Sequence, residues 1–348
     1  MEKSDQSVCY RAFGRDIYGP AGLSLSRAPA EGASDELAAL QLQRDDSLRV
    51  SIAQNLPALL HDVEDYPGGP KFYIWKDGEG VGVQYDRWRA RFWPGQDRID
   101  FGDLRAQASA DVEQIEYDNF RFSLAMERVF LPLYALFSTP DTVALHGSAV
   151  VLEGRAYLFI GRSGAGKSTT AYEFVRRGAR LLADDLIVAD LARGIALGGA
   201  PTLRLWKDEG ALPEAEQDRS LWQHERSKRW FRIPAEQGAT SAVPIAAIVM
   251  LDPDSLGDRP HIIPALEASS QREAMTDLLE QTFDLTHAPK EWMVARFRNA
   301  ARLVREYPFY HFRYIKSGDG QPTHIDALFE AITNLNSQIS QINSAESP

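Results

Sequence analysis

A glycine-rich segment that ends in a lysine constrains this chain more than any other feature. Residues Gly161-Arg162-Ser163-Gly164-Ala165-Gly166-Lys167-Ser168 match the phosphate-loop pattern G-x-x-x-x-G-K-[ST]. The glycines let backbone N–H groups turn toward phosphate oxygens without a Cβ clash. The lysine supplies a charge for the β- and γ-phosphates, and the serine hydroxyl can bind magnesium. A chain with this loop must place it between a strand and a helix.

The flanking sequence meets that requirement. Tyr157–Ile160 is an aromatic and apolar run typical of a buried strand. Ala171, Phe174 and Val175 form an i, i+3, i+4 apolar stripe, which predicts a helix over Lys167–Arg177. The alternative is an ordinary glycine-rich turn with a surface lysine, and the order of strand, loop and helix disfavours it. We therefore predict that the segment binds a nucleoside triphosphate.

Composition and charge exclude several classes of protein. The 348 residues carry a net charge of −11, and such an acidic chain is a poor general ligand for nucleic acid. The single cysteine, Cys9, excludes an internal disulfide and a zinc site built from cysteines. No apolar run reaches the ~18 residues of a membrane helix, and the N-terminal residues lack the apolar core of a secretory signal. We expect a cytoplasmic protein without nucleic-acid or membrane partners.

The two halves of the chain differ in character. Residues 1–125 contain aromatic and β-branched runs separated by turns, which predict a β-rich (α+β) N-terminal domain suited to recognising a substrate or partner. Residues 126–336 alternate short apolar runs, turns and helices, which predict an α/β nucleotide-binding domain. Residues 337–348 are polar and predict a flexible tail. The clearest strand predictions are Phe72–Trp75, Val81–Tyr85, Arg89–Trp93 and, at the C-terminal end, 309–315.

Some element boundaries follow from single residues. A helix predicted over 112–137 should be kinked or divided at Pro132. Strands over 142–145 and 148–152 should flank a turn at His146. Helices are also predicted over 290–306 and 324–336.

Paired carboxylates interrupt the apolar run Leu181–Val188. Burying one unpaired carboxylate costs several kcal/mol, so Asp184 and Asp185 indicate a nearby cation or a strand end that opens into a cleft. A βαβ crossover of this length returns the chain beside the phosphate loop. A turn at a strand end is the alternative, and we favour a catalytic or metal-binding role.

A competing acid follows the apolar run 245–251. In an ordinary phosphate-loop ATPase, an acid such as Asp252 would hold the magnesium. We favour the other interpretation, a core strand followed by a turn at 252–254.

The ordered set His146-Gly147, Gly161–Ser168 and Ala183-Asp184-Asp185 resembles the catalytic domain of HPr kinase/phosphorylase. That family shares its fold with phosphoenolpyruvate carboxykinases and phosphorylates a serine of a carrier protein. Kinases of lasso-peptide precursors look similar. The resemblance is specific over about 140–190 and implies a phosphoenolpyruvate carboxykinase-like kinase domain that uses ATP and Mg²⁺. It also implies a peptide or small-protein substrate bearing a serine, and a homo-oligomer.

The resemblance implies a role for each matching residue. Lys167 would contact phosphate, and Ser168 and Asp184 would contact magnesium. Asp185 would accept the proton of the substrate serine, and His146 would support catalysis near the γ-phosphate. The predicted nucleotide-binding set comprises Gly161, Arg162, Ser163, Gly164, Ala165, Gly166, Lys167, Ser168 and Thr169.

A basic cluster over His224–Arg232 is unusual in this acidic chain. A phosphate or an acidic peptide would favour it, and a solvated loop explains it equally well. We predict that Lys228 and Arg229 reach the nucleotide.

Departures from the family pattern narrow the choice of substrate. The Glu-Ile-Arg-Gly segment of the true enzymes is Thr202-Leu203-Arg204-Leu205 here, so the metal-binding Glu is replaced. The later Gly-Arg-Asn segment is Val243-Pro244-Ile245. Both changes favour a divergent peptide kinase over phosphorylase activity. The alternatives are an ATPase that uses Asp252 and a non-catalytic nucleotide-binding module that recruits a partner.

Overall fold

The structure is a computed structural model with two compact units. It describes residues 8–12, 15–19, 26–27, 40–44, 72–85, 88–103, 121–206, 220–222, 228–254, 265–282, 290–315 and 324–345. The first unit comprises Met1–Thr142 and Asp284–Phe297, and the second comprises Val143–Phe283 and Arg298–Pro348. The predicted boundary at 125/126 therefore falls inside the first unit. No helix among the described residues is both long enough and apolar enough to cross a bilayer.

The described strands of the first unit form one sheet. They are β1 (Val8–Ala12), β2 (Arg15–Gly19), β3 (Ser26–Arg27), β4 (Leu40–Arg44), β5 (Phe72–Asp77), β6 (Gly80–Tyr85), β7 (Trp88–Trp93) and β8 (Arg98–Asp103). Their spatial order is β3-β1-β2-β4-β8-β7-β6-β5. Strands β5 to β8 form an antiparallel meander, and β4 runs parallel to β2 and β8. The three strands predicted between residues 72 and 93 are confirmed.

A helix packs on this sheet through aromatic side chains. It is helical from residue 121, passes through a π-helical turn at Met126–Phe130 and continues as α1 (Leu131–Ser138). The helix is not divided at Pro132, because the π-helical turn ends at Phe130 and the α-helix continues through Pro132. Residues 112–120 lie outside the described residues. Phe92 of β7 makes edge contacts with Phe130 and Tyr134 at centroid distances of 6.3 and 5.9 Å.

The second unit is a mixed sheet flanked by helices. Its main-sheet strands are β9 (Thr142–Leu152), β10 (Arg155–Ile160), β11 (Arg180–Ala183), β12 (Leu186–Asp190), β13 (Ile195–Leu197), β17 (Val243–Asp254), β18 (Ala265–Ala268) and β19 (Phe309–Ile315). A small sheet has the order β14 (Thr202–Trp206), β16 (Lys228–Arg232), β15 (Ser220–Trp222). The described α-helices after α1 are α2 (Lys167–Arg176), α3 (Gln271–Gln281), α4 (Lys290–Glu306) and α5 (His324–Ala345). The residues of α4 up to Phe297 are assigned to the first unit.

Three adjacent strands of the main sheet determine where the site forms. Strand β17 runs parallel to β10 on one side and to β19 on the other. The carboxyl ends of parallel strands meet at the same edge of a sheet, so the ends of β10, β17 and β19 lie together there, beside the glycine-rich segment that follows β10.

The predicted turn at His146 is wrong, because β9 is one continuous strand through that residue. Gly147 makes this possible. A Cβ on Gly147 would lie 2.6 Å from the Phe159 carbonyl oxygen and 2.8 Å from Ile187 Cδ1. A glycine therefore lets β9 pass close to β10 and β12 without a break.

Two other predicted ends are also wrong. Strand β17 continues through the predicted turn at 252–254, because its pairing with β19 extends from Asp252↔Arg313 to Asp254↔Ile315. Helix α5 continues to Ala345, so most of the predicted flexible tail is helical. Ile339 packs against the core there, which explains why the helix does not end at residue 336.

Candidate active site

The phosphate-loop segment joins β10 to α2 with the backbone that anion binding requires. Gly161, Gly164 and Gly166 have φ angles of 146°, 83° and 78°, which residues with a side chain rarely adopt. The Thr170 N–H donates to the Gly166 carbonyl at 2.7 Å, so the helix begins directly at the loop. Its first N–H groups and the positive end of its dipole therefore face the loop, where an anion is stabilised.

The Lys167 ammonium group lies within this loop. Its Nζ donates to the carbonyl oxygens of Gly161 at 2.6 Å and Arg162 at 3.1 Å. The side chain is buried, so these acceptors offset the desolvation of the charge. The loop thus contains a positive charge that is already oriented.

One cavity brings together most of the predicted catalytic and binding residues. It is lined by His146, Ser148, Ser163, Gly164, Gly166, Lys167, Ser168, Thr169, Asp185 and Arg204. These residues come from β9, the phosphate loop with α2, the turn after β11, and β14. The backbone of Lys228 and Arg229 lies in β16, and their side chains fall outside the described part of the chain, so their contact with nucleotide stays a prediction.

Asp185 is held in an unusual backbone conformation at the edge of this cavity. Its φ is 73°, a left-handed conformation that Asp tolerates better than most residues. Its carbonyl oxygen accepts hydrogen bonds from the Gly147 N–H at 3.3 Å and from His146 Nδ1 at 2.9 Å. Its carboxylate is 36% exposed, and Oδ1 lies 3.7 Å from His146 Nδ1. The β9 residues therefore fix the turn that presents this carboxylate to the cavity.

The environment of the His146 imidazole favours its neutral form. Its partial burial lowers the pKa, the nearby Lys167 ammonium lowers it further, and Asp185 opposes both effects. Because the ring contacts a carbonyl oxygen through Nδ1, the hydrogen of the neutral ring lies on that nitrogen. Neutral His146 therefore acts as a hydrogen-bond donor to the Asp185 turn.

Asp184 occupies a different environment from its neighbour. It is 6% exposed, and its two carboxylate oxygens accept hydrogen bonds from Ser148 Oγ at 2.6 Å and from the Arg204 N–H at 3.0 Å. It thereby links β9 to β14 and places Arg204 at the cavity. The predicted metal-binding role of Asp184 stays a prediction.

Ser148 belongs to the site although no sequence motif predicted it. The sequence signal for Ser148 is its hydroxyl, which directly precedes the apolar residues at the end of β9. A buried hydroxyl requires a hydrogen-bond partner, so such a residue indicates a polar group nearby. Arg204 lines the cavity, and its place in the Thr202–Leu205 segment was its only sequence signal.

Magnesium would bind at this site together with the nucleotide. Nowhere in the described ranges do three His, Cys, Asp or Glu side chains come together in a way that could hold a metal ion. Magnesium at nucleotide sites takes most of its ligands from phosphate and water and few from protein. The cavity offers the Ser168 hydroxyl as an oxygen donor for that purpose.

Asp252, the competing acid, is not among the residues that line this cavity, although Leu251 directly before it lies close to Gly161 of the loop. Its carboxylate is 53% exposed and faces Arg313 Nε at 3.7 Å. Of the two candidate acids, the cavity lining therefore includes Asp185 and not Asp252.

Comparison with known proteins identifies one matching family. The HPr Serine kinase C-terminal domain matches residues 138–205. An HPr kinase/phosphorylase from Treponema pallidum subsp. pallidum is 43% identical over 96 residues, which is 28% of this chain and 28% of that protein. An HPr kinase/phosphorylase from Geobacillus sp. (strain WCH70) is 46% identical over 63 residues, or 18% of this chain and 20% of that protein. The resemblance to HPr kinases is thereby confirmed.

The residues matched by the family model include all those that line the cavity. The chain spans less than a third of the length of these curated relatives, at 28% and 20%. The solved HPr(Ser) kinase/phosphatase from Coxiella burnetii covers 58% of this chain and 95% of its own, at 12% identity and a TM-score of 0.29.

Proposed function

We propose that this chain, which is related to HPr kinases over residues 138–205, is an ATP-dependent kinase that phosphorylates a serine of a peptide or small protein. The observation that carries the proposal is the single cavity shared by Lys167, Ser168 and Asp185. Phosphoryl transfer mainly requires positioning and neutralisation of charge. These residues supply a phosphate-binding cation, a magnesium ligand and a base.

The proposed reaction assigns each group one task. The serine oxygen forms a bond to the γ-phosphorus, the bond from that phosphorus to ADP breaks, and the serine proton passes to the Asp185 carboxylate. Lys167 stabilises the charge on the phosphates, and Ser168 would hold the Mg²⁺ that neutralises them. His146 keeps the Asp185 turn in place through its bond to the backbone carbonyl.

Five further proposals concern the fold, the substrate, the location and the assembly of the protein. The second unit would have a phosphoenolpyruvate carboxykinase-like phosphate-loop fold, and the first unit would recognise the substrate. The acceptor would be a precursor peptide rather than HPr, since Thr202 replaces the Glu of the true enzymes beside Arg204. The protein would be cytoplasmic and would form a homo-oligomer.

A transfer assay with γ-labelled ATP and Mg²⁺ tests the proposal. We would offer an HPr-like carrier and a serine-containing precursor peptide, and locate the label by mass spectrometry. Phosphoserine on either acceptor is the expected result, and Lys167→Ala should abolish it. Phosphate release without transfer would indicate an ATPase, and nucleotide binding without turnover would indicate a non-catalytic module. Either result would contradict the proposal.

A further inference from the structure

A buried tyrosine from the C-terminal part of the chain bonds to the middle of the phosphate loop. Tyr314, at the end of β19, is 2% exposed, and its hydroxyl donates to the Ala165 carbonyl oxygen at 2.6 Å. The same hydroxyl oxygen lies 3.3 Å from the position that a Cβ on Gly166 would take. Tyr314 therefore bonds to Ala165 and occupies the space beside Gly166.

The geometry of that peptide makes the contact relevant to anion binding. In a trans peptide unit the C=O and the following N–H point in opposite directions. The Ala165 carbonyl is directed at Tyr314, so the Gly166 N–H points away from it. Gly166 lines the cavity that Lys167 and Ser168 share. The hydrogen bond thus sets the direction of one of the N–H groups available to a phosphate.

The tyrosine ring is itself held firmly. It stacks on His324 with a centroid distance of 3.9 Å and an interplanar angle of 16°, and on Phe312 at 5.6 Å. His324 is the first residue of α5, and the next turns of α5 contact α2. Phe329 lies 5.0 Å from Phe174 between ring centroids, and Asp326 pairs with Arg177 at 2.6 Å.

From these contacts we infer that Tyr314, supported by His324, is a positioning residue that orients the phosphate loop for nucleotide binding. This inference rests on the proposed function. It adds to the nucleotide site a residue that lies far from the phosphate loop in sequence. A loop that is ordered before the ligand arrives loses less conformational entropy on binding. Removing the hydroxyl should therefore weaken nucleotide binding more than it disturbs the fold.

The test compares Mg-ATP and Mg-ADP affinity of the full chain and of Tyr314→Phe by calorimetry. The phenylalanine keeps the ring and the stack and removes only the hydrogen bond. We expect affinity to fall about 2- to 12-fold, the range for one hydrogen bond. In the transfer assay the KM for ATP should rise by a similar factor with kcat little changed. Exchange of the amide hydrogens of residues 165–168 in the nucleotide-free protein should become faster.

Tyr157→Phe is the matched control. Tyr157 is also buried, and its hydroxyl donates to Asn336 Oδ1 at 3.0 Å, away from the loop. That variant should lose stability without losing affinity. His324→Leu removes the ring that stacks on Tyr314 and should also lower nucleotide affinity. It replaces Tyr314→Phe in the test if that variant does not fold.

Equal affinity of Tyr314→Phe and the unmodified protein would overturn the inference, as would an equal affinity loss in Tyr157→Phe. Failure of the unmodified protein to bind nucleotide would instead contradict the proposed function. The two failures are therefore distinguishable.

Discussion

Asp184 and Asp185 are neighbours in sequence with opposite environments. Asp184 is buried and bonded through both oxygens to Ser148 and Arg204, whereas Asp185 is partly exposed at the cavity. A carboxylate with both oxygens occupied is poorly suited to accept a proton. The base of the proposed reaction is therefore Asp185, and Asp184 maintains the shape of the site around it.

Asp185→Asn tests that assignment. The amide keeps the shape of the side chain and cannot accept the serine proton, so transfer should fall by roughly a hundredfold or more, since a positioned base contributes ~10²–10⁴-fold. Affinity for ATP should change by less than about tenfold, the effect of losing one polar contact. Calorimetry and the transfer assay measure the two quantities separately.

Asp252→Asn is the control for this experiment. Its carboxylate is exposed beside Arg313, so its removal should leave both affinity and transfer close to those of the unmodified protein. The ordinary ATPase interpretation predicts the reverse, with Asp252 essential and Asp185 dispensable. An active Asp185→Asn enzyme would remove the basis for the catalytic assignment.

His146 should make the protein less stable in mild acid. Its pKa is lowered from the ordinary value of 6.5 by burial and by Lys167, so the unfolded chain binds the proton more tightly than the folded protein. Stability therefore decreases as the pH falls below 6.5 toward the folded-state pKa. Urea unfolding of the unmodified protein and of His146→Gln across the range from neutral to mildly acidic pH measures the difference. The variant should gain relative stability as the pH falls, and a constant difference would contradict the lowered pKa.

At the scale of elements, the passage of β9 beside β10 and β12 depends on one glycine. Gly147→Ala would place a methyl group 2.6 Å from the Phe159 carbonyl oxygen, and that backbone atom cannot move without disturbing β10. Overpacking of this kind costs ~1–3 kcal/mol. We expect the free energy of unfolding to decrease by about that amount, and nucleotide affinity to fall because the Gly147 N–H bonds to Asp185.

Gly95→Ala provides the control for that measurement. A Cβ at Gly95 would meet nothing within 4 Å, and its φ lies outside the left-handed region. The free energy of unfolding of Gly95→Ala should differ from that of the unmodified protein by less than about 1 kcal/mol. Equal effects of the two substitutions would show that the close approach at Gly147 is unimportant.

At the scale of the whole molecule, the residues that line the cavity all belong to the second unit. Hydrogen exchange of the full chain with and without Mg-ATP should therefore show protection at residues 146–148, 161–170 and 202–205. Strands β5 to β8 of the first unit should show no change. Comparable protection in those strands would contradict the assignment of nucleotide binding to the second unit. The Lys167→Ala variant is the control, and Mg-ATP should protect neither unit of it.

The sequence by itself determined the features that depend on local chemistry. The phosphate loop and α2 were predictable because glycine, lysine and an apolar stripe act within a few residues of each other. The strands between residues 72 and 93, β19 and helix α4 were predictable for the same reason, since their periodicity is local. The ordered set of His146, the phosphate loop and the two aspartates also sufficed to identify the relationship to HPr kinases.

Only the tertiary structure decided how distant segments combine into a site. The sequence could not show that β9 continues through His146, because this depends on close contact with β10 and β12. It could not assign Asp184 and Asp185 to opposite environments, because their partners Ser148 and Arg204 lie on other strands. It could not connect Tyr314 with Ala165, 149 residues earlier, because only the parallel order of β10, β17 and β19 brings them together. Pairing between strands creates these contacts, and no local pattern encodes which strands will pair.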